Sequence, residues 1–447
     1  MAYTDFIAAI YLGTSRMTGI VGRNEAGTLA VIAYATETSA NCIVRGCVHN
    51  VKETAFRIKK ILRNLEAKIP GSRIGKVYVG VGGQSIRSVE HTVSLSLKAE
   101  SIMTDEMLDN LYQECETYLP DGLDVLSILP SAYYLDGRRE SQPAGISCSR
   151  IEARYNLIVA RPSVRRLIAK CITEFVRIEL GGILVSPLVL GDVVVSEGEK
   201  NRGCALIDFG AGVTTLSVYK GGTLVYLCVI PLGGHLITRD IAEFLKVGEA
   251  EAEHLKRNYG NALVSEEDDS VFQIHQEQKG LMSVKLSDFN DVVTARLQEI
   301  LENVYDKLEQ AVDLKALQAG IIITGKAANL ENLTAVIYNR LKTDVRYASI
   351  REGLNIKVHL PDTSPDGIAL GLLLQGKENC SVLPAPTPAP PAPNPAPVPP
   401  QSVETSPPPT PETPPASTPG KKKKEKAWTK KILDNVDKFA GDLFKET

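Results

Sequence analysis

Residues 206–242 read LIDFGAGVTTLSVYKGGTLVYLCVIPLGGHLITRDIA, and the fold turns on this stretch. The run from Cys204 to Phe209 predicts a strand that ends in an acid, Asp208, and enters the glycine turn Gly210-Ala211-Gly212. A second strand is expected from Val213 to Tyr219, where β-branched residues suit a pleated surface. Lys220-Gly221-Gly222 makes the next tight turn, and Thr223 to Ile230 reads as a third strand. Pro231-Leu232-Gly233-Gly234 follows, and a helical period begins near Leu236. A hairpin turn of glycines leaves backbone N–H groups bare and able to point at phosphate oxygens. Thr214 and Thr215 add hydroxyl donors, and Asp208 is placed to hold a cation or a water. That is nucleotide-phosphate chemistry on a hairpin, without the lysine of a Walker loop. The glycine pattern taken alone suits an ordinary β-meander equally well.

The N-terminal region carries the same device. Phe6 to Tyr11 predicts a strand, Leu12-Gly13-Thr14-Ser15-Arg16 a turn with hydroxyls, Met17 to Val21 a second strand, and Thr28 to Tyr34 a third. From Asn50 to Lys68 the apolar residues Val51, Ala55, Ile58, Ile61, Leu62 and Leu65 recur at helical spacing. Two copies of one hairpin-plus-helix plan predict a duplicated α/β fold that clamps a nucleotide between its halves.

Across the 447 residues a hydrophobic fraction of 43% and a charged fraction of 23% describe a globular protein with room for two or more cores. No stretch approaches the roughly 20 apolar residues needed to span a bilayer. The first residues lack the basic region of a signal peptide, so the expected compartment is the cytoplasm. Eight scattered cysteines agree with that, and Cys42 and Cys47 read as core thiols rather than a zinc pair. A net charge of −3 argues against a nucleic-acid partner.

Between the two hairpins the pattern predicts strands over 74–81, 85–98, 124–135, 151–160 and 181–185, with helices over 104–118, 161–175 and 186–195. Beyond the central stretch it predicts helices over 247–259, 288–311 and 330–341 and a short strand over 321–324, with 364–374 closing the globular part, while 262–283 is polar and poorly patterned. The composition then breaks. Of 26 prolines, 17 lie between Pro384 and Pro419, so this segment is expected to be an extended spacer without a core. After Lys421 to Lys424, the residues Trp428, Ile432, Leu433, Val436, Phe439, Leu443 and Phe444 fall on one half of a helical wheel, opposite the charges. Such a helix suits lying in the headgroup plane of an anionic membrane. Docking into a protein groove or onto its own domain is the alternative.

Taken together, these residues resemble the bacterial cell-division family FtsA, whose members are actin-like and bind ATP. The resemblance runs along nearly the whole chain. Leu12-Gly13-Thr14-Ser15 is similar to the first phosphate motif, and Arg45-Gly46 with Val48 and Asn50 to the segment leading into the first helix. Gly80-Val81-Gly82-Gly83 resembles the entry to the family's inserted subdomain, and Tyr134-Leu135-Asp136-Gly137 and Pro143-Ala144-Gly145 resemble its later strands. Asp208 to Thr215 resembles the second phosphate motif, Gly233-Gly234 the turn near the nucleotide, Glu253 and Lys256 the pair bordering ribose and adenine, and Thr324-Gly325 the start of the adenosine motif.

The resemblance implies an actin-like duplicated ribonuclease-H-type α/β fold. Its subdomains would be 1A over 1–82 and 162–195, the inserted 1C over 83–161, 2A over 196–257 and 314–360, and 2B over 258–313. A return helix over 361–380, a spacer over 381–420 and a membrane-targeting helix over 421–447 would follow. It implies ATP held by Gly13, Thr14, Ser15, Arg16, Asp208, Gly210, Gly212, Thr214, Thr215, Gly233, Gly234, Glu253, Lys256, Gly325 and Lys326, with Mg²⁺ reached by Asp208 through water. It implies a polymer of the chain itself, a place at the inner face of the plasma membrane at the division site, other division proteins as partners, and binding of the tail of the tubulin-like protein FtsZ. Arg296 and Glu299, three apart on one helix face, match the family's tail-binding pair; on spacing alone they are an intrahelical ion pair.

Two departures from the family pattern bear on chemistry. Tyr11 stands where the first phosphate motif has an acid, and Lys326-Ala327 where the adenosine motif has glycines. Weak or absent ATP hydrolysis is therefore expected. A sugar kinase or chaperone-type ATPase would need the missing acid or a further domain, and a pilus-assembly scaffold of the same fold would not need the terminal helix.

Overall fold

The first hairpin forms where the sequence places it, with the strand Ile7–Leu12 antiparallel to Arg16–Glu25, itself antiparallel to Thr28–Thr38. In the computed structural model the described residues are 5–25, 27–264, 270–276, 280–358 and 366–382. All of them fall within one compact unit, Met1–Thr387. The proline-rich segment and the terminal helix expected over 421–447, with all its apolar residues, lie outside the described residues.

Lys76–Val81 runs parallel beside Ile7–Leu12, and Glu179–Val185 runs parallel beyond it. The second half repeats this order with Cys204–Phe209, Thr214–Lys220 and Thr223–Ile230 as the antiparallel trio. Ile321–Thr324 and then Val345–Tyr347 lie parallel on the outer side of its first strand. Identical strand order in the two halves is the duplication that the hairpin repeat predicted. Both first strands are apolar on both faces, as strands with helices on either side must be; Ala8, Ala9, Ile10, Ala205 and Ile207 have no exposed surface.

The helix Val51–Glu66 starts at Asn50, whose side chain accepts the N–H of Glu53, and buries Ala55, Ile58, Ile61, Leu62 and Leu65. Between the first-half strands comes an insertion made of Arg87–Ile102, Asp105–Thr117, Asp124–Leu135 and Ser147–Ala160. It has its own core around Tyr155, Leu157 and Cys115, and its sheet meets that of the second half where Arg87 pairs with Cys228. The first half is closed by the helix Gly367–Gln375, whose Leu372 and Leu373 lie against Gly80 and Gly22 of its sheet.

Several elements differ from the pattern. The segment expected as one helix over 161–175 is α-helical over Pro162–Ala169 and continues as a π-helical turn, Lys170–Val176, that stops at Arg177 with φ 68°. The stretch over 262–283 contains the hairpin Val271–Gln276 and Gly280–Lys285. The long helix runs Leu286–Ala311, starting two residues earlier than its apolar spacing indicates.

Candidate nucleotide-binding cleft

The two glycine turns face each other across the cleft between the halves. Thr14 lies against Gly212 so closely that a Cβ on Gly212 would stand 2.6 Å from both Oγ1 and Cγ2 of Thr14. Thr14 Oγ1 also accepts the N–H of Gly46 at 2.9 Å. Behind the second turn, the carbonyls of Gly210 and Ala211 accept the N–H groups of Gly234 (3.0 Å) and His235 (2.8 Å). The first residues of the helix Gly234–Leu245 therefore clamp that turn in place. The N–H groups of Thr14, Ser15, Ala211 and Gly212 meet no acceptor among the described residues, which leaves a cradle of donors suited to an anion.

Beneath the turns is an inner chamber of about 30 Å³, lined by Tyr11, Thr14, Asp208, Gly210, Gly212 and Thr215 among others. The strands place Asp208 between Thr215 and Thr324. Its Oδ1 lies beside Gly325, where φ is 92° and an added Cβ would fall 2.3 Å from the Phe209 carbonyl and 2.5 Å from that Oδ1; only glycine fits there. Burial, reinforced by the nearby Asp366, pushes the Asp208 carboxyl up to about 6. Burial also drives the Tyr11 phenol far above its ordinary value, with Asp208 and Asp366 adding to the effect, so it stays a neutral hydroxyl. Thr215 faces the chamber, whereas the Thr214 hydroxyl donates to the Leu232 carbonyl at 2.8 Å.

Asp366 is the functional residue that motif reading passed over. It accepts hydrogen bonds from Arg16 (3.4 Å), Thr18 (3.3 Å) and the Tyr34 hydroxyl (3.3 Å), and caps the closing helix through the N–H of Ala369 (2.8 Å). An acid directly before the apolar run Gly-Ile-Ala-Leu is legible as an N-cap, but its hold on the first hairpin is not. These donors occupy Asp366 and leave Asp208 as the one carboxylate, among the described residues, that lines the inner chamber. Mg²⁺ keeps several waters of its own and needs near-octahedral oxygen donors, while 30 Å³ accommodates a water or two. No group of three His, Cys, Asp or Glu side chains suited to a metal occurs among the described residues. Among the described residues Asp208 is a single carboxylate beside a neutral phenol, so an ion here would draw its remaining ligands from water and from a bound anion.

An outer chamber of about 580 Å³ opens past Ser15, Ala211 and Gly234, with Thr238, Glu253, Lys256, Arg257 and Lys326 in its walls. Lys256 Nζ donates to the Gly234 carbonyl (3.0 Å), Thr238 Oγ1 (2.7 Å) and Glu253 Oε2 (2.6 Å). Burial lowers the Lys256 ammonium, with the Glu253 hydrogen bond opposing it. Burial acts to raise the Glu253 carboxyl, yet the hydrogen bonds from Lys256 and Thr238 prevail and hold it below its usual value. Glu253 and Lys256 thus brace the helix Glu249–Tyr259 against the start of Gly234–Leu245. Gly233 sits against the second turn, where an added Cβ would meet the Ala211 carbonyl at 2.6 Å. Ala327 presses on Gly234, and Lys326 extends into the wall without an ion-pair partner among the described residues. His235, Glu249 and Asn329 also line this chamber; no motif marks them in the sequence.

Arg296 and Glu299 lie outside both chambers, on Leu286–Ala311. They do form an ion pair, but Arg296 also bonds in two-pronged fashion to Asp240 of the neighbouring helix, at 2.5 and 3.2 Å. Burial is modest at all three residues, and the hydrogen bond that Arg296 donates to Asp240 holds its guanidinium above its ordinary value.

Comparison with known proteins agrees with this architecture. Residues 205–364 match the family model described as cell division protein FtsA, and residues 83–159 match the SHS2 domain inserted in FtsA. A cell division protein FtsA of Porphyromonas gingivalis is 33% identical over 400 residues, covering 85% of this chain and 83% of that protein. The FtsA of Bacillus subtilis is 29% identical over 356 residues, covering 78% of this chain and 80% of that protein. Among solved structures, a PilM–PilN type IV pilus biogenesis complex superposes with a TM-score of 0.58 at 16% identity, covering 83% of this chain and 98% of the matched one. That likeness concerns the actin-like fold with its duplicated halves.

Proposed function

Because the chain belongs to the FtsA family of cell division proteins, we propose that it is a membrane adaptor of the division machinery, with nucleotide in the cleft, the FtsZ tail on the second half, and a lipid surface at its C-terminal helix. The single observation that carries this reading is family identity across 85% of the chain. The cleft supports the nucleotide part of the reading. Two glycine turns with unengaged N–H groups bound one end, and a chamber large enough for a nucleoside lies beside them. ATP is the ligand the family implies, with Gly13, Thr14, Ser15, Gly210, Gly212 and Thr215 around its phosphates and Glu253, Lys256, Gly325 and Lys326 around its sugar and base. Hydrolysis is weak or absent, because Tyr11 supplies no carboxylate beside Asp208.

The FtsZ tail would take the surface around Arg296 and Glu299, in the lobe over 258–313, with other division proteins as further partners. Head-to-tail association of the chain would set many C-terminal helices side by side. One such helix binds lipid weakly, and a row of them gains avidity. The protein would then sit on the cytoplasmic face of the plasma membrane at the division site.

Liposome flotation tests the adaptor reading directly. The full chain is expected to float with vesicles containing anionic lipid, and a chain truncated after Gly420 is not. Phe439→Asp or Leu443→Glu should abolish flotation of the full chain. If the full chain stays at the bottom of the gradient, the terminal helix is a protein-docking element and the adaptor reading fails.

A further inference from the structure

A buried hydroxyl in a folded protein normally has a hydrogen-bond partner. Three have none among the described residues, those of Tyr155, Ser186 and Tyr305. Tyr155 is sealed in the core of the insertion and Tyr305 in that of the second half. Ser186 differs, because its side chain, only 2% exposed, lines the inner chamber together with Tyr11, Thr14, Asp208 and Gly212. It opens the helix Ser186–Val194, whose N-cap, Val185, supplies no side-chain acceptor. Ser186 and Pro187 both border the chamber, so the positive end of the helix lies at its wall. The rest of the helix is held in place. Gly191 has no room for a Cβ against the Tyr219 hydroxyl, and Asp192 accepts hydrogen bonds from Lys200 (3.2 Å) and Gln375 (2.8 Å). A donor fixed in this way loses little freedom when an acceptor arrives.

We propose that Ser186 distinguishes a nucleoside triphosphate from a diphosphate, by donating its hydroxyl to an oxygen of the terminal phosphate. The proposal rests on the nucleotide-binding reading of the cleft. With the nucleoside in the outer chamber and the phosphates between the facing turns, the phosphate farthest from the sugar is the one that reaches the inner chamber. Its volume of about 30 Å³ is room for a water or two, which suits the outer oxygens of a phosphate whose body stays between the turns. With a diphosphate the same space holds water, and the hydroxyl meets a neutral partner. With a triphosphate it makes a charge-assisted bond, reinforced by the helix end behind it. Asp208 on the same floor meets such a phosphate in its protonated form or across a cation, and neither arrangement occupies the Ser186 hydroxyl.

The test is equilibrium binding of two fluorescent nucleotides to the full chain, a non-hydrolysable ATP analogue and ADP with the same label, in one buffer containing Mg²⁺. The parent is expected to bind the triphosphate about tenfold more tightly than the diphosphate. Ser186→Ala should weaken the triphosphate about tenfold, the loss of one hydrogen bond to a charged group, and change the diphosphate less than about twofold. Ser186→Cys keeps the volume but donates poorly, and should behave as Ser186→Ala does. Circular dichroism reports whether each variant is folded. A cysteine variant that binds the triphosphate as tightly as the parent assigns the effect to packing and overturns the hydrogen bond. Equal weakening of both nucleotides, no weakening of either, or a parent without preference for the triphosphate overturns the proposal while leaving the nucleotide reading intact. Failure of the parent to bind either nucleotide overturns the nucleotide reading and the proposal together.

Discussion

Thr14 and Gly212 touch across the cleft, so the two halves of the molecule meet at a methyl-and-hydroxyl contact with a bare Cα. A side chain at position 212 would have to displace Thr14, and Thr14 is fixed from behind by the N–H of Gly46. Gly212→Ala is therefore expected to hold the turns apart and weaken nucleotide binding about tenfold, since phosphate contacts require both turns at once. Thr14→Ala in the same chain removes two of the three close atoms, leaving only Cβ at 2.9 Å, and should recover part of the loss. Titration with a fluorescent nucleotide measures both effects. An unaffected Gly212→Ala would mean that the two turns do not grip one ligand.

Asp208 should be a burden on stability. Its carboxyl titrates near 6 in the fold against 3.8 in a model peptide, so the folded state holds a proton that the unfolded chain releases. The associated stability is fully present below pH 3.8 and is lost as pH rises through about 6. Asp208→Asn is accordingly expected to raise stability by about 2 kcal/mol at pH 7.5, with the gain shrinking toward zero as pH approaches 4. Urea unfolding at several pH values checks the slope. A gain that does not change with pH would place its cause elsewhere.

Lys256→Met is expected to destabilise the chain by about 2 kcal/mol and to lower nucleotide affinity. The substitution leaves Glu253 with Thr238 and Arg257 but frees the carbonyl of Gly234. Glu253→Gln together with Lys256→Met should cost less than the two separately, because the carboxylate that has lost its lysine is gone. Thermal melts of the four chains complete this cycle, and strict additivity would show the pair to be uncoupled.

Arg296 can be separated into a structural and a partner-binding role. Its two-pronged bond to Asp240 ties two helices together, so Arg296→Asp is expected to cost roughly 1–2 kcal/mol through the lost pair and the new repulsion. Asp240→Arg combined with Arg296→Asp restores an opposite-charge pair and should recover most of the stability. If Arg296 also receives the acidic tail of a partner, the swapped chain remains defective in binding an FtsZ tail peptide. Full recovery of peptide binding in the swapped chain would limit Arg296 to holding the helices.

The duplicated fold was legible because both halves announce themselves through tight glycine turns between apolar strands, where local chemistry decides structure. Val51, Ala55, Ile58, Ile61, Leu62 and Leu65 likewise give away a helix by spacing alone, and the two turns that the sequence singles out bring Thr14 and Gly212 together in the fold. Asp366 escaped notice because its partners Arg16, Thr18 and Tyr34 are more than 300 positions away, and no local pattern encodes such a meeting. Thr214 shows the reverse case. Its hydroxyl sits in a phosphate-type motif, yet neighbouring Leu232 provides an acceptor, and alternation along a strand sends adjacent side chains to opposite faces. The hairpin of Val271–Gln276 and Gly280–Lys285 has one inward face, made by Phe272, Ile274, Met282 and Val284, but each strand contributes only two such residues, too few for the alternation to stand out from its polar neighbours.

The closing helix sets a schedule for synthesis. Gly367–Gln375 covers the first sheet through Leu372 and Leu373, and the short pairing of Ser381–Val382 with Arg73–Ile74 seals it further. A ribosome adding about 5–20 residues per second reaches this helix about 15–60 s after the first strands have emerged. For that interval the apolar underside of Ile7–Leu12 has no cover, and the earliest part of the protein to be made is the last to become native. A nascent chain stalled before Gly367 would therefore present an uncovered apolar sheet face to the cell, the kind of surface that chaperones exist to shield.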